Sequence, residues 1–347
     1  MFENKDLTLI ALIAGGALLL SAVATKLNDN RLHHDKNSDY EMIKKYVLND
    51  SPLYGHNRPK LWIHSKYEIN SRNWNSFGSR NNANLNQPYL HMTIKSILDY
   101  NSEDFNICLI DDDSFRKLIP SWDIDLVNMA DPMRSQFREL GMLMCIYYYG
   151  GMTIPNSFLC MRNLKPLYDK YTANDKFFAT ENINRINNIV MDTNKYPVVH
   201  DTFISGANKN TDHLLLLITK LQEKLKSGHI SEEREFKGFV SSWCIQQSKI
   251  GMVNVVDGKE VGIKTVKNKP IVIDDLMEES YLDIGKYVYG IYIPSNEMLK
   301  RTKYNWFAVM SEEEILNSRL ALAKYFKISD IDVSTKESKS TVTVVSI

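Results

Sequence analysis

Two apolar runs end on residues that can do chemistry. KLWIH, Lys60–His64, ends on His64, and FNICLI, Phe105–Ile110, runs into Asp111-Asp112-Asp113. Carboxylates at a strand end suit a hard divalent cation, which prefers oxygen ligands, or a contact to a nucleotide. The same residues suit a turn, with Asp113 capping a short helix that starts at Ser114-Phe115-Arg116. His64 either touches a base or ribose or is satisfied by backbone. In DPMRSQFRE, Arg134 and Arg138 lie one helical turn apart. They either meet phosphate or pair with Glu139 and Asp131 across a helix surface. Pro132 fits the first turn of that helix, with Asp131 as its cap. Arg301 and Lys303, in RTKYNWFAVM, either neutralise a diphosphate or form a solvated face.

Several chemistries find no support. The chain has no GxGxxG, P-loop, GxSxG or HExxH motif. Its four cysteines, Cys108, Cys145, Cys160 and Cys244, are far apart in apolar settings and show no zinc spacing. They read as buried, reduced thiols. Lys+Arg and Asp+Glu balance at 42 each, so the chain as a whole lacks the basic character of a nucleic-acid binder.

Strands and helices must alternate to hold these residues. Strands are expected at Lys60–His64, Phe105–Ile110, Met152–Ile154, Phe158–Met161, Phe177–Ala179, Val198–Ile204, Met252–Val256 and Tyr287–Ile293. Helices are expected at Pro88–Tyr100, Ser135–Tyr149, Thr211–Lys226, Phe236–Gln247 and Glu312–Phe326. That alternation implies an α/β fold with a mainly parallel sheet. Ligands then sit beyond the carboxyl ends of the strands, which marks the ends of KLWIH and FNICLI and the strand after Gly150-Gly151.

PKLWIH, then FNICLIDDD, then a helix running into YYYGG and a short strand, together resemble the glycosyltransferase family whose sugar-binding region contains a DxD motif. Capsular-polysaccharide and mannosyl transferases are its relatives. The resemblance covers about Pro59–Leu167. It implies a GT-A-like nucleotide-sugar-binding domain and sugar transfer from a nucleotide-sugar donor to the hydroxyl of a glycan or glycoconjugate acceptor. A divalent ion held by carboxylates would neutralise the diphosphate leaving group. Counted from YGG, the two DxD aspartates fall on Pro155 and Ser157. The family's helix acid falls on Glu139, its arginine on Met142, and its late histidine is missing from RTKYNWFAVM. FISGAN, Phe203–Asn208, resembles the acceptor-side stretch, although Gly206 also suits a plain turn. The resemblance thus makes His64, Asp111, Asp112, Arg138, Glu139, Ser157 and Arg301 the donor-side candidates, and Ser205 and Gly206 the acceptor-side ones. No cofactor is expected from the lost DxD, while the remaining acids leave Mn²⁺ or Mg²⁺ open. An anchored member with a degraded DxD is similar to proteins of large DNA viruses.

The N-terminus adds a membrane. Leu7–Ala24 is uncharged over 18 residues, about 27 Å as a helix, close to the bilayer's hydrocarbon thickness. The expected organisation is a tail 1–6, a single-pass anchor 7–25, a polar stalk 26–58, an α/β domain 59–330 and a frayed tail 331–347. Lysines and arginines after the anchor place the main domain in the cytoplasm. Two readings follow. One is a membrane-anchored transferase with a remodelled, metal-independent donor site; the other is a catalytically inactive protein of the same fold that binds or scaffolds at a membrane.

Overall fold

A computed structural model of the chain describes residues 58–65, 87–126, 128–185, 189–226 and 232–330. The expected anchor, the stalk up to Asn57 and the C-terminal tail lie outside the described residues. Among the described residues no helix is long and apolar enough to cross a membrane.

KLWIH forms β1 (Lys60–His64), with Leu61, Trp62 and Ile63 fully buried. A strand buried on both faces needs apolar residues without alternation, and this one has them. It is followed by α1 (Tyr89–Asn101), β2 (Asn106–Ile110), α2 (Ser114–Leu118), α3 (Met133–Tyr149), β3 (Gly151–Thr153), β4 (Phe158–Cys160), α4 (Lys165–Tyr171), β5 (Phe177–Ile183) and β6 (Val198–Ala207). Then come α5 (Asp212–Lys226), α6 (Glu233–Lys249), β7 (Val253–Val256), α7 (Ile273–Leu276), β8 (Gly290–Tyr292), α8 (Ser295–Lys300), α9 (Asn305–Ala308) and α10 (Glu312–Asn317). A last helix, α11, covers 321–330.

Six strands form one sheet in the order β2-β1-β3-β6-β5-β7. β1 is parallel to both β2 and β3, and β5 is parallel to β7; β6 runs antiparallel to β3 and β5. The fold is therefore α/β with a mainly parallel central sheet. β4 and β8 pair separately as an antiparallel ribbon. One apolar cluster packs α3, α5 and α6 on the sheet through Leu140, Leu217 and Phe236; a second joins α1 to the ribbon and the C-terminal helices through Tyr89, Ile291 and Phe307. All four cysteines are buried, and none forms a disulfide among the described residues.

The chain returns beside β1 through Gly150-Gly151. Both residues have positive φ, 71° and 99°, a region that penalises any Cβ. At Gly151 the demand is also steric: a Cβ there would lie 2.0 Å from the carbonyl oxygen of Lys60. Trp62 fixes the same turn by donating Nε1–H to the carbonyl oxygen of Gly150 at 3.0 Å.

Three local expectations are corrected. Asp113 does not cap α2; Asp111 does that work, its Oδ1 accepting from the Ser114 N–H (2.9 Å) and hydroxyl (2.6 Å). Asp131 does not cap α3, whose cap residue is Pro132; one position too early for the helix N–H groups, Asp131 accepts from the Ser135 hydroxyl. The expected helix Glu312–Phe326 is interrupted after Asn317, because Ser318 turns extended (φ −73°, ψ 161°) and donates its hydroxyl to the Ile315 carbonyl. A serine bonding its own backbone competes with the helix ladder.

Replacing Gly151 with alanine should destabilise the protein by about 3 kcal/mol, combining the left-handed backbone penalty with overpacking. Urea unfolding of the two proteins would check this; equal midpoints would show that the turn relaxes freely.

Candidate active site

β1 lies between β2 and β3, so the chain leaves β1, pairs on one side of it, and later returns on the other. That is a switch point, where open α/β sheets leave a crevice at the carboxyl ends of the strands. A cleft of about 350 Å³ opens there, its wall including His64 at the end of β1 and Thr153-Ile154 at the end of β3.

The parallel register His64↔Ile110 puts the residues after β2 beside His64. His64 Nε2 lies 3.0 Å from Asp112 Oδ1, and the imidazole stacks on Phe115 with 8° between planes. From α3, Arg138 grips the same carboxylate with a fork, Nε to Oδ1 at 2.6 Å and Nη2 to Oδ2 at 2.5 Å. Burial pushes the Asp112 carboxyl up, but the hydrogen bonds and charge of Arg138 and His64 outweigh it and hold Asp112 well below the usual carboxylate range. The third nitrogen of Arg138, Nη1, is buried and has no hydrogen-bond partner. A buried guanidinium nitrogen left unpaired is costly unless a ligand answers it.

The next residue, Glu139, belongs to a second charged group. Lys237 of α6 places Nζ 2.7 Å from Glu139 Oε2 and 2.9 Å from Asp201 Oδ1 on β6. The remaining carboxylate oxygens are also engaged: the Thr202 hydroxyl donates to Glu139 Oε1, and Asn182 Nδ2 donates to Asp201 Oδ2. Burial raises the Glu139 carboxyl, with the Asp201 charge adding and Lys237 opposing. Burial works against the ammonium too, yet the two carboxylates lift Lys237 above the ordinary lysine range. Asp201 is pushed up by burial and brought below its usual value by Lys237 and Asn182.

Of the donor-side candidates, the structure brings His64, Arg138, Glu139 and Ser157 to the cleft wall, together with Pro155; Asp112 stands behind His64 and Arg138. Pro155 and Ser157 lie in the turn after β3, closed by the Phe158 N–H to the Pro155 carbonyl. Asp111 serves the α2 turn. Arg301 is held elsewhere, 3.0 Å from Asp274 and 3.6 Å from Glu297. Arg134 donates Nε to the Met129 carbonyl. Ser205 and Gly206 sit inside β6, opposite Thr153 and Met152; the part of β6 that reaches the cleft is Thr202-Phe203. Gly206 has a packing reason, since a Cβ there would lie 2.6 Å from the Phe178 ring. Among the described residues, no three His, Cys, Asp or Glu side chains gather as a metal site.

Sequence reasoning missed Lys237, Asp201 and Thr202. The available signal was polarity on an inward stripe. Lys237 shares the helical spacing of Ser241 and Cys244, both buried, and Asp201-Thr202 are buried polar residues inside a strand.

No family model matches the chain, and no curated protein matches it. Among solved structures, the apo-form glycosyltransferase GlyE of Streptococcus pneumoniae TIGR4 aligns at a TM-score of 0.39 and 10% identity, over 82% of this chain and 64% of that one. The chain thus spans less than two thirds of GlyE's length. PaToxG glycosyltransferase aligns at 0.34 and 10% identity, over 86% and 98% of the two chains. An active-site mutant of LgtC aligns at 0.32 and 10% identity, over 68% and 87%. Likeness at this level leaves the functional reading to the geometry of the cleft.

Asp112→Asn should cost about 2 kcal/mol, between the small cost of breaking an exposed pair and the larger one of breaking a buried pair. The folded-state carboxyl titrates below its unfolded value of 3.8. Its contribution is therefore complete above about pH 5 and disappears as the pH falls further. The gap in unfolding temperature between the two proteins should narrow from about pH 5 toward pH 2. A gap that stays constant would show that Asp112 does not anchor Arg138 through its charge.

Proposed function

We propose that this chain is a GT-A-like glycosyltransferase that moves a sugar from a nucleotide-sugar donor to a hydroxyl of a glycan or glycoconjugate acceptor. The observation that carries the reading is a cleft at the sheet's switch point with Arg138 in its wall, a guanidinium whose Nη1 has no partner. A diphosphate supplies the anionic acceptor that this nitrogen lacks, and guanidinium–phosphate bonds are among the stronger hydrogen bonds. In the transfer, the bond between the anomeric carbon and the phosphate oxygen breaks, and its electron pair leaves on the nucleoside diphosphate. The acceptor oxygen bonds to the anomeric carbon and gives up its proton. Glu139, in the cleft wall with its carboxyl raised by burial, is the group suited to accept that proton.

The residues present do not fit the family's divalent ion. Pro155 offers no ligand, Ser157 has no carboxylate beside it, Asp112 is taken by Arg138 and His64, and Glu139 by Lys237 and Thr202. Charge on the leaving diphosphate falls to the guanidinium of Arg138, which Asp112 already holds in place. The uncharged run Leu7–Ala24 supports single-pass attachment to a membrane, and the lysines and arginines after it favour the cytoplasmic side for the main domain.

Nucleoside diphosphates and their sugars, added to the full chain in EDTA, should raise its unfolding temperature, and one donor should be turned over with release of nucleoside diphosphate. Arg138→Gln should weaken that donor by about tenfold or more, the value of one hydrogen bond to a charged group. A chain that ignores every donor, with or without Mn²⁺, would support the inactive binding module instead.

A further inference from the structure

We infer that the ring pair Phe203–Tyr292 is a stacking platform for an uncharged pyranose of the acceptor, so that the acceptor is a glycan rather than a peptide hydroxyl. This rests on the transfer reading above for its purpose, and on the cleft's own geometry for its place.

The cleft wall is divided by charge. Its basic and acidic side chains come from the end of β1 and from α3 and α6: His64, Arg138, Glu139 and Lys237. The side chains that β6, β8, α8 and the turn after β3 bring to it are uncharged, Phe203 and Tyr292 among them, with Asn156, Ser295 and Asn296 alongside. In the sheet, β3 separates β1 from β6. One part of the wall therefore suits an anion, and the other suits a neutral ligand with an apolar surface.

The two rings are half-buried, with centroids 4.9 Å apart and planes tilted by 55°. Arg185 lies over the Tyr292 ring, 5.5 Å from its centroid, and is itself held by Glu297 at 2.7 Å. The platform is thus fixed before a ligand arrives, and little ordering remains on binding. A pyranose carries hydroxyls around its rim and C–H bonds on its faces. An aromatic face, electron-rich at its centre, receives such a C–H face and removes apolar surface from water. Neutral amides and hydroxyls nearby answer the rim without favouring an ionised ligand. A peptide hydroxyl brings no polar rim to use them.

Position selects the acceptor over the donor's base. Phe203 follows Thr202, whose hydroxyl donates to Glu139. A sugar on the platform therefore has its rim close to the carboxylate suited to take the acceptor's proton.

Saturation-transfer NMR on the full-length protein tests this with the methyl pyranosides of glucose, galactose, mannose and N-acetylglucosamine, each with and without uridine or guanosine diphosphate. At least one pyranoside should receive saturation mainly on the C–H protons of one ring face. Phe203→Leu keeps an apolar side chain without the flat ring, and should weaken that pyranoside by about five- to tenfold. Phe203→Tyr keeps the ring and should bind it as the wild type does. Both variants should bind the nucleoside diphosphate unchanged. No transfer to any pyranoside, or equal transfer in Phe203→Leu, overturns the inference. Weaker nucleoside diphosphate binding by Phe203→Leu also overturns it, because the rings then hold the base. A loss confined to nucleotide sugars overturns it too, because the rings then hold the donor's sugar. If a pyranoside binds through Phe203 but no nucleoside diphosphate binds the wild type, the glycan platform stands and the transfer reading falls.

Discussion

Three charges are walled into this protein at Glu139, Lys237 and Asp201, and the functional edge of the fold is arranged around keeping them together. A buried charge is tolerated only when partners replace the water it has lost. Here the partners come from α3, α6 and β6, with Asn182 of β5 and Thr202 completing the shell. The helices on one side of the sheet therefore cannot settle independently of the strand that runs against the others. The same closure sets the cleft, since Glu139 and Lys237 form part of its wall.

Beside that group the Asp112–Arg138 fork makes a second, separate closure. It ties the loop after β2 to α3, and His64 at the end of β1 joins it through Asp112. Because Arg138 and Glu139 are consecutive on α3, one turn of helix belongs to both networks. A change that rotates α3 disturbs the two together. Gly151 prevents the strand that follows α3 from drifting, since its backbone must pass within a Cβ's reach of Lys60.

Much of the scaffold was legible in the sequence because it depends on local pattern. The unbroken apolar run of KLWIH gave a central strand at its observed bounds, and the spacing of Leu140 and Met144 gave α3. Gly150-Gly151 marked the turn into β3. The charge partners were harder to read, because ion pairs form between residues far apart in sequence and carry no periodicity. Asp112 and Arg138 are 26 residues apart, yet each stood out by itself at a strand end or on a helix face. Lys237 did not, being one lysine among many on an amphipathic helix, and only its sharing of a stripe with Ser241 and Cys244 set it apart. In the acidic triplet the capping role fell two residues from expectation, on Asp111 in place of Asp113, while Asp112 took the ion pair beside His64.

The choice of arginine in one network and lysine in the other follows from geometry. Asp112 presents both oxygens to one partner, and only a planar guanidinium can answer with two parallel bonds and still carry a third nitrogen. Glu139 and Asp201 each present one oxygen to a shared point. A tetrahedral ammonium meets two such oxygens and keeps a third direction, whereas a guanidinium would have to spread its nitrogens across a wider gap than the 2.7 and 2.9 Å contacts leave. Each cation is thus matched to its carboxylates, and Arg138 keeps Nη1 beyond its own.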